Sequence, residues 1–245
     1  MTREPELAGQ TVVVIGGSAG IGLETARQAR AEGAEVILTG RNAEHLTQAA
    51  DDVGARSVAA FDATDAAALG QFFAGLPGPI DHVMVTGPGP YYAPLADLDH
   101  ARAVSDFDAH PWLAIEVARH AVGRVRPGGT LLFMSGTDDL RRGPGLSLMV
   151  AFNAALPALI GNLAVEVAPI RVNLIAAGFI DTPLSARLLG GDLDARRAQL
   201  AAKLPIGRVV GPADIALLAV HLMINTAVTG ATYEIDGGQQ LVPGS

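Results

Sequence analysis

The chain has no cysteine, so disulfides and thiolate chemistry are both excluded. It is poor in aromatic residues, at 4%, and in charged ones, at 17%, while hydrophobic residues reach 49% of the 245 positions. That balance suits a layered core of Ala, Val, Leu and Ile, large enough to stand without staples. Acidic side chains outnumber basic ones by 25 to 17, for a net charge of −8, and no basic run is present to track a phosphate backbone. Nucleic acid is therefore not an expected partner. The uncharged apolar stretches read as far short of a bilayer span, and no long apolar run follows Met1-Thr2-Arg3-Glu4-Pro5. A soluble, cytoplasmic protein without a membrane partner is the expectation. No repeat, low-complexity tract or linker divides the sequence, so residues 1–245 are expected to form one domain.

What is present begins with an apolar run, Thr11-Val12-Val13-Val14-Ile15, which empties into Gly16-Gly17-Ser18-Ala19-Gly20-Ile21-Gly22. Behind the loop, residues 23–31 have a composition that favours helix. Strand, glycine loop and helix in this order make a phosphate cradle. Glycine lets the chain turn sharply and brings backbone N–H groups close to a pyrophosphate, whose charge the positive end of the helix dipole also favours. Gly16, Ser18, Gly20, Ile21 and Gly22 are the candidate contacts, and the domain is expected to bind a dinucleotide.

Further strand-like runs fall at residues 35–39, 56–60, 80–86, 130–135, 170–175 and 232–235. Helix-length segments alternate with them, notably 98–124, 146–167, 184–203 and 212–223, with Gly190-Gly191-Asp192 read as a mobile insertion. This is the pattern of an α/β, doubly wound Rossmann fold, with a seven-stranded parallel sheet between two helix layers. Such a sheet binds ligands beyond the carboxyl ends of its strands. After the second strand, Thr39-Gly40-Arg41-Asn42 lacks the carboxylate that would bind the adenosine ribose of NAD. Arg41 offers instead a guanidinium fork suited to a 2′-phosphate, so NADP(H) is the expected cofactor; the alternative is a solvated loop arginine. After the third strand come Asp62 and Ala63. Asp62 has two readings, one against the adenine amino group and one as a plain helix N-cap.

The spacing Gly-x-x-x-Gly-x-Gly from Gly16 to Gly22 resembles the short-chain dehydrogenase/reductase family. Arg171-Val172-Asn173 through Gly178 and Thr182 is similar to the family's R-V-N-x-x-x-P-G-x-x-x-T segment, with Ala177 in place of the proline. Leu204-Pro205-Ile206-Gly207-Arg208, Pro212 to Ile215, Val228-Thr229-Gly230 and Asp236-Gly237-Gly238 match its C-terminal third. The resemblance implies a Rossmann-fold oxidoreductase, a homodimer or homotetramer packed through the two long central helices. It also implies Thr86, Gly87, Asn153, Gly178, Ile180 and Thr182 as further cofactor contacts.

Members of that family typically use a tyrosine as general acid, a lysine that lowers its pKa, a serine that orients the carbonyl and an asparagine that anchors a relay water. Aligned residue by residue, Met149 stands at the tyrosine, Asn153 at the lysine, Gly136 at the serine and His110 at the asparagine. The loop after the fourth strand, usually N-N-A-G, reads Val85-Thr86-Gly87-Pro88, and Ile15 replaces the threonine before the first glycine. A thioether has no proton to give, and an amide brings no cationic field to tune a neighbouring acid. Candidates for the missing donor are His110, Ser135, Tyr91 and Tyr92, with Asp138 and Asp139 on the next loop. Each also has a plain reading: the tyrosines as pocket walls or interface residues, His110 as a hydrogen-bonded helix residue, the aspartates as solvated charges. Pro88, Pro90, Tyr91, Tyr92, Met149 and Leu184 imply an apolar, aromatic wall and hence a hydrophobic or ring-bearing small-molecule substrate. Three functions stay open. The first is an atypical NADP(H)-dependent oxidoreductase acting on a carbonyl, quinone or activated alkene. The second is an NADP(H)-binding sensor or partner subunit without redox activity, and the third a non-redox cyclase, isomerase or dehydratase on the same scaffold. No metal site is expected.

Overall fold

Alternation along the central strands supplies two apolar faces. In β1 (Thr11–Ile15), Val13 and Ile15 join one core cluster and Val12 and Val14 the other, as the two-residue period of a strand requires. The remaining strands are β2 (Glu35–Gly40), β3 (Ser57–Ala60), β4 (Ile80–Val85), β5 (Val125–Gly136), β6 (Arg171–Ala177) and β7 (Thr232–Ile235). The computed structural model describes residues 5–87, 89–137 and 143–242. Within them the strands form one seven-stranded sheet in the order β3-β2-β1-β4-β5-β6-β7, every pair parallel. All the expected strands form, with β5 starting earlier, at Val125, and β6 running on to Ala177.

Helices cover both faces. α1 (Gly20–Ala31), α2 (Ala43–Val53) and, late in the chain, residues Pro212–Ile224 carry Ala26, Leu46, Ile215 and Ala219 into the cluster around Val12 and Val14. On the other face, α3 (Ala66–Gly75) brings Leu69 and Phe73 against Val13 and Ile15. α4 (His100–Phe107) and α5 (Leu113–Ala121) follow, and α5 adds Val117 to that cluster. α6 (Ser147–Glu166) adds Phe152, Leu156 and Ile160 to the same cluster. α7 (Pro183–Leu189), α8 (Leu193–Lys203) and α9 (Pro212–Ile224) complete the series.

Three expectations need correction. The single helix expected over 98–124 is α4, a π turn at Asp108–Trp112, and α5. Pro111 lies inside that turn, where its missing N–H breaks the regular ladder. The helix expected over 184–203 is divided by a 3-10 turn at Gly190–Asp192, so the glycine pair ends α7 rather than forming a loose insertion. And α6, with 20 residues and a mean hydropathy of 1.8, is long and apolar enough to cross a membrane by length and composition. Here one face lies against the sheet and buries Phe152, Leu156, Ile160 and Leu163 at helical spacing, so that face serves the core.

The Arg171-Val172-Asn173 segment proves to be a clasp. The Arg171 guanidinium is 6% exposed and donates to the carbonyls of Gly128, Leu222, Met223, Asn225 and Val228 at 2.8 to 3.1 Å. Leu222 and Met223 belong to the last turn of α9, whose orphan carbonyls a cation satisfies well. Asn173 completes the clasp, donating to the Val228 carbonyl at 3.1 Å and accepting from the Ala231 amide at 3.2 Å.

At the amino end of the sheet, His82 is buried with its Nε2 at 2.7 Å from the Gln10 amide oxygen. That oxygen only accepts, so Nε2 carries the hydrogen and Nδ1 is left without a partner among the described residues. Burial, aided by the charges of Arg171 and Arg126, pushes its pKa down to about 3. The folded chain keeps the ring neutral while the unfolded chain takes up a proton below the ordinary value of about 6.5. Stability is thus complete above pH 6.5 and is lost as the pH falls toward 3, at up to about 1.4 kcal/mol per pH unit. Urea melts across that window should show this slope, and His82→Leu should flatten it.

Candidate active site

The glycine loop closes against the end of β4. A methyl group on Gly16 would sit 2.4 Å from the Thr86 carbonyl oxygen, and one on Gly22 would sit 2.3 Å from the Gly16 carbonyl oxygen. Both positions exclude any side chain. Thr86 locks the contact, its hydroxyl donating to the carbonyls of Ile15 and Gly16 at 3.1 and 3.0 Å. α1 then begins at Gly20 with Ala19 as an N-cap that supplies no side-chain bond. Its first N–H groups are left for a ligand, at the positive end of the helix dipole. Gly16, Ser18, Gly20, Ile21 and Gly22 all border a cavity of about 580 Å³. A pyrophosphate fits this chemistry.

Toward the sheet edge the same cavity is bordered by Arg41, Asp62 and Ala63. Arg41 is exposed and its guanidinium makes no hydrogen bond among the described residues. Asp62 Oδ1 accepts from the Thr64 amide at 3.0 Å and the Thr64 hydroxyl at 2.8 Å. The Thr64 amide, then the hydroxyl and the Arg41 charge, hold its carboxyl below the usual carboxylate range. The N-cap reading of Asp62 is overturned: α3 is capped by Asp65, which accepts from Ala67 and Ala68.

A second cavity of about 760 Å³ adjoins the first, sharing Ile21, Thr86, Gly87, Pro90, Thr182 and Leu184 with it. Gly178, Ile180 and Asn153 border it as well. A side chain on Gly178 would strike Asp236 Cβ at 2.6 Å, so that glycine serves close packing. Thr182 caps α7, accepting from the Ser185 amide at 3.3 Å. The walls are largely apolar, with Met134, Leu146, Phe152, Leu156 and Leu188 beside Met149 and Leu184. Of the expected wall residues, Pro88 lies outside the described residues, as do Asp138 and Asp139.

His110, Ser135 and Tyr92 meet in this second cavity, but Tyr91 does not. Tyr91 borders the first cavity. Its hydroxyl accepts from the Asp99 amide at 3.1 Å, and the Arg102 guanidinium lies 4.2 Å from its ring centre. Ser135 donates to the Gly136 carbonyl at 3.0 Å, and the Tyr92 hydroxyl donates to Met149 Sδ at 3.4 Å. His110 Nδ1 lies 2.7 Å from the Asp106 carbonyl oxygen, and its ring stacks on Phe152 at 5.2 Å. Asp106, whose carboxylate is 3.5 Å from the same nitrogen, was not singled out by sequence reasoning. Its i,i+4 spacing to His110 on one helix was the available signal.

Asn153 is buried at 7% exposure. Its Oδ1 accepts from the Gly136 amide at 3.2 Å and its Nδ2 donates to the Thr137 carbonyl at 3.3 Å. A side chain on Gly136 would lie 2.7 Å from that Nδ2. The small residue at 136 and the amide at 153 therefore require one another. No ammonium replaces it from elsewhere: Lys203, the chain's single lysine, ends α8 and borders neither cavity.

Comparison with known proteins agrees with this architecture. A family model described as enoyl-(acyl carrier protein) reductase matches residues 16–240. The 3beta-hydroxysteroid dehydrogenase 1 of Eggerthella lenta is 31% identical over 261 residues, covering 98% of this chain and 97% of that protein. The NADP-dependent (R)-specific alcohol dehydrogenase of Lentilactobacillus kefiri is 28% identical over 256 residues, covering 95% and 97%. A solved small-chain dehydrogenase in complex with NADPH superposes with a TM-score of 0.80 at 29% identity, covering 95% of this chain and 99% of that one. The chain belongs to the short-chain dehydrogenase/reductase family.

The contact between residues 136 and 153 makes their substitutions interdependent. Gly136→Ser alone should destabilise the fold, and in an Asn153→Ala background it should cost less by about 1 to 2 kcal/mol. Urea unfolding of the two single variants and the double variant measures this coupling.

Proposed function

We propose that this chain is an atypical NADP(H)-dependent oxidoreductase acting on an apolar or ring-bearing carbonyl, quinone or activated alkene. The observation that carries the reading is the pair of contiguous cavities: a glycine-lined one with Arg41 at its rim, and an apolar one bordered by His110, Tyr92 and Ser135. Arg41 suits the 2′-phosphate because its fork is planar, permanently charged and uncommitted. The NADP dependence of the Lentilactobacillus kefiri relative and the NADPH held by the solved neighbour support that assignment. When bound, NADPH supplies a hydride.

The chain's own residues do the rest. Backbone N–H groups at the start of α1 neutralise the pyrophosphate, and the shared Thr86, Gly87 and Thr182 set the passage between the two cavities. Apolar side chains make up most of the second cavity's wall and offer a surface for an apolar or ring-bearing substrate. The site is atypical in that residue 149 is a thioether and residue 153 an amide committed to the β5 backbone. That commitment favours a second reading, an NADP(H)-binding protein without redox turnover. Loss of NADPH absorbance against ketones, quinones and enals separates the two, since a binder consumes none.

Arg41→Ala should weaken NADPH binding about tenfold to a hundredfold, the worth of a charge-assisted hydrogen bond or two. NADH binding should stay within about threefold of wild type, because only the 2′-phosphate faces the lost fork. Calorimetric titration of both nucleotides decides it, and equal weakening would remove the assignment to NADP(H).

A further inference from the structure

The π turn leaves a deficit of donors. Pro111 has no N–H, and the carbonyl of Asp106 is met by a side chain, His110 Nδ1, at 2.7 Å. A carbonyl oxygen only accepts, so Nδ1 carries the hydrogen. Nε2 is then the unprotonated nitrogen of the neutral ring, and in the charged ring it holds the proton that can leave. It makes no hydrogen bond among the described residues, and the ring borders the second cavity. The Asp106 carboxylate, 7% exposed, stands 3.5 Å from Nδ1 and is itself fixed by the Tyr91 amide at 3.2 Å. It is the counter-ion for the charged ring, while Phe152, stacked at 16°, fixes the ring plane. This is a base with an orienting partner, built on a helix.

The two candidate hydroxyls in the cavity already donate within the protein, Ser135 to the Gly136 carbonyl and Tyr92 to Met149 Sδ. We infer that His110, positioned by Asp106, is the proton donor for ketone reduction, in place of the tyrosine and lysine that residues 149 and 153 are not. The inference rests on the oxidoreductase reading. With a hydride delivered to the carbonyl carbon, the C=O π pair moves onto oxygen and the His110 Nε2–H bond breaks to give that oxygen its proton. An alcohol forms, and the neutral ring regains a proton from water. The other titratable or charged groups bordering this cavity are Tyr92, from the loop after β4, and Arg196, on α8. α6 and β5 contribute none there among the described residues.

Two measurements test this on the full chain. Nitrogen NMR of histidine-labelled protein reads the tautomer without turnover, and neutral His110 is expected as the Nδ1–H form. Reduction of acetophenone and cyclohexanone by NADPH is then followed across pH for wild type and His110→Gln. The wild-type rate should fall as pH rises, and the variant should lose roughly a hundredfold in kcat together with that pH dependence. Its NADPH affinity should stay within about threefold. Asp106→Asn should lower kcat with little change in KM, as a positioning role requires. An Nε2–H tautomer, or His110→Gln reducing ketones at the wild-type rate with the wild-type pH profile, would overturn the donor assignment alone. A wild type that reduces quinones or enals but neither ketone would overturn the donor assignment alone, whereas one that binds NADPH and reduces none of the three classes would overturn the oxidoreductase reading and the donor with it.

Discussion

Everything at the carboxyl edge of the sheet depends on how closely three pieces of backbone approach one another. Gly22 lies against the Gly16 carbonyl, and Gly16 lies against Thr86, at separations no Cβ tolerates. The Thr86 hydroxyl then bonds the carbonyls of Ile15 and Gly16, where the strand enters the loop. Position 15 holds isoleucine, with no hydroxyl to give, so the lock comes from β4 rather than from β1. The start of α1 is thereby aimed into the first cavity, and Thr86 and Gly87 become part of the wall shared with the second. One steric constraint thus positions both the anion site and the passage to the apolar pocket.

The opposite wall is held from the C-terminal third. Asp236 accepts from the amides of Gly238 and Gln240 at 2.7 and 2.9 Å. Gln239 in turn accepts from the Phe179 amide at 2.9 Å, holding the segment that runs from Gly178 to Thr182. Gly238, at φ +85°, turns where a side chain would strike Pro205. Motifs far apart in sequence therefore share one task, since each fixes backbone that borders the second cavity. At the other end of β6, away from both cavities, Arg171 clasps the last turn of α9.

Features set by local backbone chemistry were legible in the sequence. The glycine loop and the seven strands follow from periodicity and from residues with few conformational options. Features set by contacts between distant segments were not. Asn153 reads as a ribose contact from sequence, whereas its amide bonds the backbone of Gly136, at the end of β5, and of Thr137 just beyond it. Tyr91 and Tyr92 are neighbours in sequence, yet they border different cavities. The π turn escaped notice because a proline within a long apolar pattern signals a break without giving its form. The uncharged run in α6 reads as short of a bilayer span although its 20 residues reach that length; what places it in the core is the burial of Phe152, Leu156, Ile160 and Leu163, which depends on distant segments.

On the proposed reading, a dinucleotide cradle with Arg41 for the 2′-phosphate opens onto an apolar chamber, and the proton donor lies on the turn after α4 rather than on α6. The first half of that reading is the more exposed to refutation. Calorimetric titration of the wild-type chain with NADPH and NADH is the most direct measurement. NADPH should bind at least roughly tenfold more tightly, the worth of one charge-assisted contact. Equal affinity for the two, or binding of neither, would contradict it.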